Sequence, residues 1–163
     1  MTDPVVERWK QSGQIFFWTY LDNKKNYPGW HLTADRAGVD FLLQLFEKMA
    51  NAKWSSFKNI NISRPAPNIL KVPNNMNGRA RWRSPKIFKL KHPKGLVPNN
   101  YWHLDVKENS VILSVGVDKL NELRNGVENI INNKGDYAIG SDEELCKNDL
   151  CVWFWGYGGA LNL

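Results

Sequence analysis

The chain has 163 residues, of which 42% are hydrophobic, 23% charged and 12% aromatic, a balance that suits one globular domain over 1–163. No apolar run approaches the roughly 18 residues of a membrane span. The opening MTDPVVERWK lacks the basic-then-apolar pattern of a secretory leader, and Cys146 and Cys151 are too few for a disulfide framework or a four-thiolate zinc site. Membrane protein, disulfide-rich mini-protein, collagen-like chain and disordered tail are excluded, and a cytoplasmic chain with reduced thiols is expected.

The net charge of +6 is unevenly placed. Residues 48–104 hold twelve basic and no acidic residues, between a first third at −1 and a last third at −5. Such a block attracts anions or acidic proteins. The other reading is internal: the acidic last third folds against the block and neutralises it.

Asp3-Pro4 is a helix start, with a capping carboxylate and then proline at the first helical position. Val5, Val6, Trp9, Phe16, Phe17 and Tyr20 continue at roughly helical spacing across Gly13, which predicts a first helix reaching Tyr20. Residues 23–29 (NKKNYPG) are a breaker-rich loop. A second helix is predicted from Thr33, with Asp35 and Asp40 near its positive end. Val39, Leu42, Leu43, Phe46 and Met49 form its apolar stripe, which ends near Asn51. Phe57–Ser63 reads as a strand, and residues 64–78, with three prolines and four asparagines, as a long irregular connection. Arg79–Lys91 reads as two strand pieces broken at Ser84-Pro85. Tyr101–Val106 and Val111–Val117 read as an antiparallel pair around the turn 107–110. A third helix, over about 118–133, is capped by Asp118, carries Leu120, Leu123, Val127, Ile130 and Ile131 on one stripe, and stops at Gly135. Asp136–Gly140 and Cys151–Tyr157 are the last two strands. The order predicts an α+β fold. Its mainly antiparallel sheet has about five to seven strands, with two N-terminal helices and the third helix packed on it.

Three stretches carry a resemblance: YPGWHLTAD at 27–35, the third helix with its GDYAIG exit, and the terminal CVWFWGY. They resemble segments of uncharacterised bacterial cytoplasmic proteins, some encoded near polymorphic-toxin loci. The resemblance implies a small partner-binding protein of immunity type and transfers no residue roles.

No phosphate-cradling GxxxxGK[ST], dinucleotide GxGxxG, GxSxG elbow or HExxH occurs. The best catalytic candidate is the strand YWHLDV, where a period of two puts Tyr101, His103 and Asp105 on one face. A histidine between a phenol and a carboxylate can act as a general base, whereas the bland reading is a solvent-facing strand. His31, just before the second helix, reads as a loop histidine tethering its end. The three histidines and two cysteines lack the paired spacing of a zinc site, so neither metal nor cofactor is expected.

Eight tryptophans are mostly core material. Trp153 and Trp155 share one face of the last strand and Phe154 the other, as in a central strand covered on both sides. Trp82 differs: alternation puts Arg79, Arg81 and Arg83 on one face and Ala80, Trp82 and Ser84 on the other. With Lys86, Lys89, Lys91 and Lys94 the arginines form an anion-seeking edge, or else a charged edge strand that resists aggregation.

Two function classes fit. Interfaces concentrate affinity in Trp, Tyr and Arg, so the first is a protein-binding module whose partner is acidic, a toxin domain if the chain is an immunity protein. The second is a nucleic-acid binder using residues 48–104, where rings alternate with basic residues. An enzyme built on Tyr101, His103 and Asp105 ranks below both.

Overall fold

The computed structural model describes residues 2–22, 27–70, 80–132, 137–141 and 150–157. Helix α1 (Pro4–Arg8) starts as expected, with the Asp3 carboxylate accepting the N–H groups of Val5 and Val6 at 2.9 and 3.2 Å. It stops after five residues. Gly13 lies at φ +71°, and a Cβ there would sit 2.1 Å from the Gly38 nitrogen, so the chain turns where only glycine fits. Residues Ile15–Tyr20 are strand β1, correcting the long first helix. IFFWTY consists of β-branched and aromatic side chains, which suit a pleated surface.

Strand β2 (Trp30–Ala34) pairs antiparallel with β1, placing Trp18 opposite His31 and Phe16 opposite Thr33. Thr33 is therefore a strand residue, and α2 (Arg36–Asn51) starts from Asp35. The Asp35 carboxylate accepts the N–H groups of Gly38 at 2.8 Å and Gln14 at 3.0 Å, tying the helix start to the lead-in of β1. Then follow β3 (Ser56–Asn61), β4 (Trp82–Arg83), β5 (Ile87–His92), β6 (Trp102–Val106) and β7 (Ser110–Val115). Helix α3 (Val117–Ile131), β8 (Tyr137–Ile139) and β9 (Val152–Phe154) complete the order. Asp118 lies in the first turn of α3, and Gly116 occupies the cap position without a side-chain bond.

The class is α+β. The described strands number nine and form two sheets, β4-β1-β2-β9-β8 and β3-β5-β7-β6. Both are mixed, because β2 runs parallel to β9 and β5 parallel to β7. The count exceeds the expected five to seven because the segments read as helix and loop before α2 are strands. The main core joins both sheets to α2 and α3, through Phe17, Leu32, Leu45, Leu90, Leu113, Val127 and Phe154 among others. The far face of the first sheet carries a second cluster of Phe16, Trp18, Tyr20, Ile69 and Ala80. Strand β9 is the covered central strand its sequence suggested, between β2 and β8.

The edge of β3 is closed by Gln11. Its side-chain amide donates to the Asn61 carbonyl at 2.9 Å and accepts the Asn61 N–H at 2.8 Å, an economical way to cap a sheet edge.

Cys151 is buried and disulfide-bonded, which overturns the expectation of reduced thiols. Cys146, the other cysteine of the sequence, lies outside the described residues. Among the described residues no helix is long and apolar enough to cross a membrane.

Candidate functional site

Strand β4 adds two residues to the free edge of β1, with Tyr20 opposite Trp82 and Thr19 opposite Arg83. This puts Trp82 beside the second cluster and turns Arg81 and Arg83 outward, the alternation expected from the sequence. Arg79 lies outside the described residues. An open cleft of about 450 Å³ is lined by Arg64, Ala80, Arg81, Trp82, Arg83 and Ser84.

Each arginine is held differently. The Arg64 guanidinium lies 5.1 Å from the centre of the Trp82 ring, and that of Arg83 lies 5.5 Å from the Trp30 ring. Guanidinium planes over indoles are cation–π pairs that leave the N–H donors facing outward. Arg81 donates through Nη2 to Asp22 at 2.9 Å and through Nε at 3.2 Å, and its backbone N–H donates to the same carboxylate at 2.9 Å. These bonds hold the Asp22 carboxyl below its ordinary pKa and raise that of Arg81. The Ser84 hydroxyl donates to the Phe17 carbonyl at 2.8 Å and pins the end of β4 against β1.

Lys86, Lys89 and Lys91 do not line this cleft. The Ser84-Pro85 break carries the chain from the first sheet to the second, and β5 turns Lys89 and Lys91 onto the solvent face there. Asp22 and Arg64 escaped the sequence reading because they come from distant loops with no local pattern to mark them.

Tyr101, His103 and Asp105 share one face, as the alternation implied, and each already has a neighbour. The Asp105 carboxylate pairs with Lys107 at 3.2 Å, while His103 packs against Tyr101 with ring centres 6.5 Å apart. The histidines do not converge. His92 points into the core, where its Nδ1 bonds the Val115 carbonyl at 2.8 Å. His31 belongs to β2, which corrects its reading as a loop tether. It is buried between Trp18, Tyr20 and Trp155, and the Trp155 Nε1–H donates to its Nδ1 at 2.8 Å. Burial pulls its pKa down to about 3, so it is neutral, with its proton on Nε2.

A second hollow, of about 370 Å³, lies between α1 and α2. Its Glu47 and Asp3 face one base, Lys48; Asp3 is held as the α1 cap and Lys48 is committed to the Trp9 ring at 4.3 Å. The arginine cleft is therefore the stronger candidate, because its charges share one sign and face outward.

Internal neutralisation of the basic block would draw on ten acids of the last third, of which Asp136, Asp142, Glu143, Glu144 and Asp149 lie outside the described residues. Among the described residues, three acids of the last third pair with bases of the same third: Asp105 with Lys107, Glu122 with Lys119 and Glu128 with Arg124. Of the described basic residues in 48–104, only Arg81 has an acidic partner, and Asp22 comes from the first third. Comparison with protein-family models, with curated proteins and with solved structures finds no match to this chain.

Proposed function

We propose that the chain is a non-enzymatic protein-binding module whose acidic partner docks on the cleft formed by Arg64, Arg81, Trp82 and Arg83. The observation that carries this reading is the set of outward guanidiniums fixed on rings or on Asp22, beside a half-buried tryptophan. Arginine and tryptophan dominate hot spots, and an arginine stacked in advance loses less freedom on binding. Opposite potentials speed encounter. The resemblance to immunity-type proteins supports a finer reading, in which the module neutralises a cognate toxin or effector by covering its active cleft. Neutralisers of nucleases must cover basic clefts, so a basic neutraliser suits an acidic target.

The test is co-expression of the chain with each product of the genes flanking its own, scoring growth and co-purification. The reading expects one product that is toxic alone, is neutralised by the wild type and is retained as a complex. The Trp82→Ala/Arg83→Ala variant should lose that complex by at least about tenfold in affinity. Full neutralisation by the folded variant would overturn the reading.

A further inference from the structure

The second sheet has one face in the core and one without. Phe88, Leu90, Val111, Leu113, Val115 and Leu104 point inward, while alternate residues point to solvent. The pairing register sets the outer residues in rows. One row is Phe57, Lys91, Ser114 and His103, and the next is Asn59, Lys89, Ile112 and Asp105. Tyr101 packs against His103 at the end of the first row. The Lys89 ammonium lies 4.4 Å from the centre of the Phe57 ring.

Two features give this face a chemical preference. Among the described residues neither Lys89 nor Lys91 pairs with a carboxylate, and the one acid of these rows, Asp105, is taken by Lys107. The face is therefore net positive at its centre. The rings stand at both margins, Phe57 on one edge strand and Tyr101 with His103 beside the other. Neighbouring strands lie about 4.8 Å apart, so the row from Phe57 to His103 spans roughly 14 Å.

We infer that this face binds single-stranded nucleic acid, with phosphates on Lys89 and Lys91 and bases stacked on Tyr101, His103 and Phe57. A four-stranded sheet presenting rings can stack about two or three bases, and stacking tolerates any sequence. An acidic protein would satisfy the lysines but give the marginal rings no planar partner. This surface is distinct from the arginine cleft, so either assignment can fail without the other.

The experiment is fluorescence anisotropy of labelled oligo-dT and oligo-U, titrated with the full chain across a salt series. Heparin and polyglutamate serve as polyanions without bases. Lys89→Gln/Lys91→Gln should weaken oligonucleotide binding about tenfold or more. The same variant should flatten the slope of log affinity against log salt by about 1.4, at roughly 0.7 per phosphate contact to a single strand. Tyr101→Ala/His103→Ala should weaken binding about fivefold or more with the slope unchanged, because stacking is not a salt-dependent term. Trp82→Ala/Arg83→Ala should leave binding within about twofold. Circular dichroism confirms that each variant is folded. Absence of oligonucleotide binding would overturn the inference. So would indifference to the ring variant with polyglutamate bound equally well, or loss of binding in the cleft variant alone.

Discussion

His31 is where one side chain carries a solution property of the whole fold. It sits in an aromatic box, accepts one indole proton, and leaves its buried Nε2 without a partner. Protonation would put an uncompensated charge there, and burial lowers the pKa to about 3. The folded value lies below the unfolded one of about 6.5, so between these pH values the unfolded chain binds the extra proton. Stability from this group is complete above pH 6.5 and falls on acidification by about 1.4 kcal/mol per pH unit until about pH 3. His31→Gln keeps an acceptor for Trp155 and removes the titration. Chemical denaturation between pH 6 and 4 should give the wild type the steeper loss, by about one proton. Equal slopes would show that His31 is solvated and not boxed. The residue's type was plain in the sequence, but its environment was not. The box is assembled from β1, β2 and the end of β9, and nothing local marks Trp155 as its neighbour.

Helix α3 shows how an element fits its sheet. Gly126 lies in the helix interior, where alanine would ordinarily add up to about 1 kcal/mol. Here a Cβ would come 2.7 Å from the Phe154 ring, itself fully buried on β9. Overpacking costs about 1–3 kcal/mol and outweighs the propensity gain. Gly126→Ala should therefore destabilise the protein by about 1–2 kcal/mol in urea unfolding, and Phe154→Leu in the same chain should recover part of that loss. A stabilised Gly126→Ala would mean that α3 stands off from β9. The elements were legible where one period fits and fail where two do. The stripe of α2 ends at Asn51 as its spacing implied, and the β6–β7 hairpin and the split at Ser84-Pro85 were read correctly. In residues 5–20, Phe16, Phe17 and Tyr20 match a helical spacing and also sit in an unbroken apolar strand. The tie is broken by the Gly13 turn packed against Asp35 and Gly38, a contact no local pattern contains. Likewise β2 reads as a loop because its antiparallel partner β1 reads as helix and its other neighbour, β9, lies more than a hundred residues away.

At the scale of the molecule, a single basic block in the sequence becomes two surfaces. The arginines go to the edge of the first sheet and the strand lysines to the open face of the second, because Ser84-Pro85 passes the chain between sheets. Three described acids of the last third, Asp105, Glu122 and Glu128, pair within their own helix or strand neighbourhood, and among the described bases of the block only Arg81 meets an acid. The sequence showed that the charge was concentrated. It could not show the division, which depends on which sheet each strand joins. Docking of a protein partner on the arginine cleft is tested by hydrogen exchange of the chain, free and saturated with the partner recovered by co-expression. New protection is expected at residues 80–84 and beside Arg64, with the exchange of β6 and β7 unchanged. Protection confined to β6 and β7, with the cleft exchanging as in the free chain, would contradict it.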